Sequence, residues 1–337
     1  MQADEQVMQR ASKSVRPVCE ACGIEPGGYS QGVREALVEF GAHESFERAA
    51  QRLARHYPVN ISDTTLRKNT LAAGQKAREV QERPMQTGAL PAQGVECMEA
   101  QADGTMLPML GFKEGKGDKR KRRISYWKEQ RLCATRKQGS AQARFACNME
   151  SVEELGQAWA RNAKQNGQGL NTQMHVVGDG ASWVGQQAKE KLGPRCRMLV
   201  DFYHVSEYLG AVAQRHKAGD KKWLARQQTR LKKGKWRKVL KELEALVEPT
   251  SVPDELAVAR NAHRYLSKRS DQLWYDEALA QGLSIGSGLI EGAHRHVLQQ
   301  RLKLSGAWWL PENAKAMSHL RVQLANNAFH ELFPLAC

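Results

Sequence analysis

Three aspartates stand where chemistry on a phosphate would need them. Asp179 lies in Gly178-Asp-Gly180, straight after the apolar run Met174–Val177, and Asp201 follows the run Arg195–Val200. Both fall at the carboxyl ends of short buried strands, the edge at which open α/β sheets hold their ligands. Asp103 ends an earlier strand-like run, Val95–Ala102, and with Gly104 it reads as a tight hairpin turn. Carboxylates gathered at one sheet edge repel one another unless a cation lies between them. Mg²⁺ fits, because carboxylate oxygens hold it and it bridges phosphate oxygens in turn. Two such ions about 3.5–4 Å apart clamp the attacking and leaving oxygens of an in-line phosphoryl displacement. Each residue also has a plainer reading: Asp103-Gly104 as a turn only, Asp179 as a helix cap, His204 as a core histidine. Glu291 is one of 36 acidic residues, and composition alone does not select it.

Periodicity outlines the elements that must position these groups. Residues 1–30 are polar and end in Glu-Pro-Gly-Gly-Tyr-Ser, a flexible lead-in. Residues 31–88 are expected to form a small all-α region: Val33, Leu37, Phe40, Phe46, Ala49, Ala50 and Leu53 recur at three- and four-residue steps. Gly41 is expected to break the first helix. Ser45–Tyr57 and Ser62–Ala73 then read as helix, turn, helix, with Ser62 or Asp63 capping the last. Arg67 and Lys68 fall early on that last helix, where a recognition helix carries its DNA contacts. The same pattern suits a plain helical hairpin. Residues 83–94 carry two prolines and two glycines and read as a linker. From about residue 89 to 337 the pattern is α/β: strands at 95–102, 105–112 and 124–136, then helix 151–163, strand 174–177, helix 182–192, strand 195–200 and helix 202–214. This order implies parallel strands joined by a right-handed crossover. Residues at about 212–282 look wholly helical and form an insertion, before helices at 287–304 and from Pro311 to Phe329.

Charge is concentrated along the chain. Net charge is +15, yet Lys113–Lys137 alone holds 11 basic and 3 acidic side chains, and Arg215–Lys241 holds 12 and 1. The remaining residues carry a small negative excess, so the basicity is local. Local basicity points to a polyanionic partner, nucleic acid first. Trp223 and Trp236 sit among the lysines and suit core packing better than base stacking. The chain has no run near the roughly 18 apolar residues that a membrane span needs. The seven cysteines form no secreted disulfide pattern, which suits a soluble, cytoplasmic protein. Cys19 and Cys22, spaced CxxC, are candidate zinc ligands, half of a zinc knuckle with no second pair at ribbon spacing.

The motifs Ala102-Asp-Gly-Thr, Val177-Gly-Asp-Gly-Ala-Ser-Trp, Asp201-Phe-Tyr-His204 and Ile285-Gly-Ser-Gly-Leu-Ile-Glu291 occur in that order, the last leading into Arg301-Leu-Lys-Leu-Ser-Gly-Ala-Trp308. The ordered set, spanning roughly residues 30–330, resembles bacterial insertion-sequence transposases of the ISKra type, related to the Mutator-like group. The resemblance implies an RNase H-like mixed sheet with a helical insertion and a catalytic triad of Asp103, Asp179 and Glu291 holding two Mg²⁺ ions, for which Mn²⁺ can substitute. Asp201 and His204 match the family's (Cys/Asp)-x-x-His element, a support of the site. The activity implied is metal-dependent cleavage at element ends and strand transfer into target DNA, by a homodimer or larger assembly on nucleoid DNA. Lys119, Arg120, Lys121, Arg122 and Arg123, then Lys232, Lys233 and Lys235, are expected on the DNA backbone. Arg295, Arg301 and Lys303 join them, with His294, Arg295 and Arg301 on the exposed side of the Glu291 helix. Relatives carry more chain before the CxxC, so a truncated or rearranged N-terminus is expected. The alternative is a non-catalytic or truncated transposase-derived DNA-binding protein.

Overall fold

The sheet is built on one long strand, β1 (Cys97–Phe112). The computed structural model describes residues 29–57, 59–83, 89–216 and 219–333; Cys19 and Cys22 and most of the expected lead-in lie outside them. β2 (Arg123–Lys137) returns antiparallel along the whole of β1, from Met98 opposite Lys137 to Phe112 opposite Arg123. β3 (Ala143–Asn148) pairs antiparallel with β2. β4 (Gln173–Gly178) and β5 (Cys196–Val200) add in parallel on the other side of β1, giving the order β3-β2-β1-β4-β5. Fold class is therefore mixed α/β.

The expected hairpin at Asp103-Gly104 is absent. β1 runs straight through it, and the chain turns back only in the basic segment between Phe112 and Arg123. The Asp-Gly pair loses to tertiary context: Ala100, Ala102, Leu107 and Met109 are buried on either side of it, and burying both flanks holds the backbone extended. β4 borders β1 only as far as Gln101 opposite Val177, so Asp103 sits just past the point where β1 becomes a free edge.

Helices cover both faces. α4 (Val152–Gln165) and α5 (Ser182–Lys191) pack on the face presenting Met98, Ala100 and Ala102, with Trp159 donating its indole N–H to the Ala134 carbonyl. A second core joins Val177 and Leu199 to α6 (Phe202–His216), α7 (Lys221–Lys232), α8 (Trp236–Glu244), α9 (Val258–Ser267) and α10 (Tyr275–Ala280), the helical insertion. Trp223 is buried there and donates to Glu242, so it is a core residue.

The third core gathers Leu107 and Met109 of β1 with α1 (Gln31–His43), α2 (Phe46–His56), α3 (Asp63–Glu82) and the C-terminal helices. Those are α11 (Gly288–Ala293), a wide π turn (His294–Gln299), α12 (Gln300–Leu302) and α13 (Pro311–Ala325). Ser62 caps α3 by accepting from Thr65 N at 3.1 Å. Gly41 does not break α1. It lies inside the helix where a Cβ would collide with Thr70 of α3, so its role is close helix contact. α3 also runs on to Glu82, beyond the expected Ala73, because its second half packs along α13 and shares that core.

Candidate active site

Asp103 projects from β1 on the α11 side of the sheet, Asp179 ends β4, and Glu291 lies on the first turn of α11. Asp103 is half-buried, while Asp179 and Glu291 are exposed. Burial, followed by the charges of Asp179, Glu129 and Glu291, pushes the Asp103 carboxyl up to about 6 against the pull of the Gly104 amide. Asp103 thus feels three other acids, of which Glu129, opposite Met106 on the other face of the sheet, is paired with Arg131 at 2.5 Å. Among the described residues no three His, Cys, Asp or Glu side chains close around one point as an all-protein metal cage would.

Asp201 is buried and fully engaged. Its Oδ1 accepts from Tyr203 N at 2.5 Å and His204 N at 3.0 Å, capping α6, while its Oδ2 accepts from Ser287 N at 2.6 Å and from the Ser287 hydroxyl. The Ser287 hydroxyl also lies 2.7 Å from Glu291 Oε1. A relay thus runs from the end of β5 through Ser287 to Glu291. Gln101 adds a second anchor: its carbonyl accepts from Ile290 N at 3.0 Å and its amide donates to Gly286 O at 3.2 Å. β1 and β5 together fix where α11 begins.

The insertion reaches the Asp179 turn. Tyr265 on α9 donates its hydroxyl to the Asp179 carbonyl, and burial pushes that hydroxyl's pKa upward, so it stays protonated as a donor. Arg269 donates to Gly180 O at 2.7 Å and lies 4.2 Å over the Tyr265 ring. Gly180 has φ +84° and a Cβ there would strike Arg269, which accounts for glycine. Tyr265 stacks on Tyr208 at 4.4 Å, and His204 meets both rings edge-on. His204 is held among aromatic rings and 3.3 Å from Glu207.

Two expected DNA contacts fall inside the protein. Arg301 is buried, donates its Nε to Gly41 O at 3.0 Å and lies over Phe46 and Trp309; burial lowers its pKa to about 10. His294 is buried too, its Nε2 3.6 Å from Asp103 Oδ2, and burial pushes it down to about 4, leaving it neutral at pH 7. Both stand on the buried stripe at ordinary helical spacing, His294 four residues after Ile290 and Arg301 four after Val297. In the π turn between them Arg321 donates to the carbonyls of His296 and Val297. Arg295 stays exposed, and Lys303, also exposed, donates to Thr105 Oγ1 at 3.1 Å, two residues from Asp103. Arg67, Lys68, Lys119, Arg120, Lys121, Arg123, Lys232, Lys233 and Lys235 are exposed; Arg122 is half-buried and holds the carbonyls of Lys113 and Gly117.

Spacing gave no sign of Gln101, Tyr265 or Arg269. Tyr265 is 86 residues from Asp179, and only the fold brings them together. Ser287 was visible as part of the Gly-Ser-Gly motif, without its role.

Comparison with known families matches residues 26–330 to the Uncharacterised protein family UPF0236. The chain belongs to that family. No curated protein matches it. Among solved structures, the Drosophila P element transposase strand transfer complex aligns with 97% of this chain and 86% of its own, at 10% identity and a TM-score of 0.32. As a member of UPF0236, the chain has its motif set, from Asp103 to Trp308, wholly inside the matched span.

Proposed function

We propose that this UPF0236 chain is a DDE-type transposase: an RNase H-like enzyme that cleaves DNA at element ends and transfers the strand with the help of two Mg²⁺ or Mn²⁺ ions. The observation that carries the reading is the set of carboxylates around Asp103, raised to about 6 by burial and by Asp179, Glu129 and Glu291, in a chain of net charge +15. Glu129 is paired with Arg131 at 2.5 Å, but Asp103, Asp179 and Glu291 have no Lys or Arg partner among the described residues, and such carboxylates at the ligand edge of a basic protein have a role if cations bind them. The donor chemistry suits hard cations. The open arrangement suits Mg²⁺, which keeps several waters and takes one or two carboxylates plus substrate phosphate. The strand order β3-β2-β1-β4-β5, an antiparallel meander followed by two parallel strands, supports the RNase H-like reading.

Asp103, Asp179 and Glu291 would hold the ions. When bound, these would activate the attacking oxygen and neutralise the leaving one. The chain's own residues set the geometry. Tyr265 and Arg269 hold the Asp179-Gly180 turn, Ser287 orients Glu291, and neutral His294 closes the inner side of Asp103. Arg295 and Lys303 offer positive charge beside the carboxylates for the phosphate backbone. No tyrosine or serine nucleophile is required. Joining two ends calls for a dimer or larger assembly on DNA.

The test is strand cleavage of a plasmid carrying the DNA that flanks the gene, for wild type and Asp179→Ala, in Mg²⁺ and in EDTA. Cuts that need both the metal and Asp179 are expected. Equal cutting by Asp179→Ala would sink the assignment, and DNA binding without cutting in any metal would favour the non-catalytic reading.

A further inference from the structure

One face of the outer half of the β1–β2 hairpin has lost its helical cover. Nearer the core, Met98, Ala100 and Ala102 of that face are packed under α4 and α5. Farther out, the same face carries exposed Met106 and buried Pro108 of β1 and, opposite Pro108, exposed Trp127 of β2. Residues 308–310 extend it along the free edge of β1: Trp309 N donates to Pro108 O at 3.1 Å and Leu110 N to Trp309 O at 2.7 Å. Trp309 is buried on the opposite face with Met109, so its neighbours Trp308 and Leu310 turn onto the uncovered one. Trp127 is 56% exposed and Trp308 37%, with ring centroids 6.1 Å apart, edge to face. Met106 and Leu310 are exposed beside them.

The hairpin loop at the end of this face is strongly basic. Lys113, Lys116, Lys119, Arg120, Lys121 and Arg123 are exposed, and among the described residues none is ion-paired. Of the two acids in the loop, Asp118 caps a turn by accepting from Arg120 N at 2.8 Å, and Glu114 is exposed, leaving the loop strongly positive.

We propose that Trp127 and Trp308 form a stacking platform for unpaired bases of a DNA strand whose phosphates lie along the basic loop. This rests on the transposase reading of the carboxylate site. Charge selects the occupant. A second copy of this chain docked through the patch would bring the indoles a flat partner but no phosphates for the basic loop, whereas a nucleic acid strand supplies both phosphates for the loop and flat π faces for the indoles. Geometry selects a single strand over duplex. Pro108, opposite Trp127, is five residues beyond Asp103, about 17 Å at the rise of a strand, or roughly five stacked nucleotides. Asp103 lies on the α11 face and the tryptophans on the other. Duplex, with a persistence length of about 150 base pairs, does not bend round the edge of β1 over that distance, while a single strand does. Trp308, which ends the ordered motif set, thereby gains a role that the carboxylate chemistry does not give it.

The test uses the full chain with Trp127→Ala, Trp308→Ala, the double variant and the matching Phe variants. All of these sites are exposed, so thermal melting should match wild type. The probes are a 20-base-pair duplex and a fork of that duplex with a single-stranded arm carrying 2-aminopurine at successive positions. Wild type should quench the 2-aminopurine and bind the fork more tightly than the duplex. The double Ala variant should lose the quenching and about tenfold in fork affinity, keep its duplex affinity, and be rescued largely by Phe. Unchanged fork binding and quenching in the double variant would overturn the platform. So would conversion of a dimer to a monomer in sedimentation with fork binding intact, which would make the face a contact between copies. Wild type that binds neither probe would instead overturn the transposase reading itself.

Discussion

Asp103 is held in a place that opposes its own charge. It is partly buried, faces a neutral imidazole, and has three acidic neighbours, so ionising it costs more in the folded chain than in the unfolded one. The direction of the pH effect follows. With the folded pKa raised to about 6 from 3.8, the folded state holds an extra proton between these values, so stability falls as pH rises through about 4 to 6 and is level above. Asp103→Asn removes that opposition. The metal-free variant should be more stable than wild type at pH 7.5 by about 1 kcal/mol, since the side chain is 40% exposed and solvent screens much of the repulsion. The gap should close by pH 4. Millimolar Mg²⁺ should raise the melting temperature of wild type and leave that of the variant nearly unchanged. A variant that melts below wild type in EDTA at pH 7.5 would mean that the carboxylate is a structural partner, and the cation role would lose its physical basis.

At the scale of elements, β2, β4, β5 and the crossover helices were legible because each buries one face and the sequence repeats with the matching period, whereas the six-residue β3 was not read and β1 was read as two strands. Asp179 and Asp201 fell at strand ends as read, since the runs before them are short, apolar and cut off by Gly-Asp-Gly and Asp-Phe. Asp103 was placed in a turn because local propensity was all that the sequence offered there, and fifteen-residue pairing with β2 outweighs it. His294 and Arg301 were assigned to the wrong side by their polar type, although they stand four residues after buried Ile290 and Val297; only distant partners, Asp103 and Gly41, show why polar side chains are kept there. The tie from α9 to Asp179 was out of reach for the same reason: no spacing rule links residues 86 apart. That tie gives the insertion a positioning role that can be measured. Tyr265→Phe keeps the stack on Tyr208 and removes one hydrogen bond to the Asp179 carbonyl. Stability should drop by about 1 kcal/mol. Cleavage should slow about tenfold and need more Mg²⁺ for half-maximal rate, with DNA affinity unchanged, because a small misplacement of a catalytic group is costly. An unchanged rate and metal requirement would show that the turn holds itself.

For the whole molecule, the question is which of its many cations face a polyanion. The basic block of the insertion is divided by the fold. Arg226 and Arg230 pair with Glu242, which also accepts from buried Trp223, so these two arginines help hold α7 to α8. Lys232, Lys233 and Lys235 stay exposed between the same helices with no acidic partner among the described residues, Lys232 lying 4.6 Å over the Phe202 ring at the start of α6. Phe202 directly follows Asp201, so Lys232 stands near the end of β5, and under the transposase reading proposed above DNA would run over these three lysines. Each lysine that neutralises a phosphate adds about 0.9 to the slope of log affinity against log salt. Replacing all three with Gln should therefore flatten that slope by about 2.7, and raising salt from 50 to 200 mM should weaken the variant about 40-fold less than wild type. The loss at low salt should be the same for unrelated DNA sequences, since backbone contacts carry no sequence information. Arg230→Gln should instead leave the slope alone and lower the melting temperature, because its charge is spent on Glu242 at 2.5 Å. If the lysine variant kept the wild-type slope, DNA would run elsewhere, and the basic hairpin between β1 and β2, with Arg295 and Lys303, would have to supply the electrostatic contact.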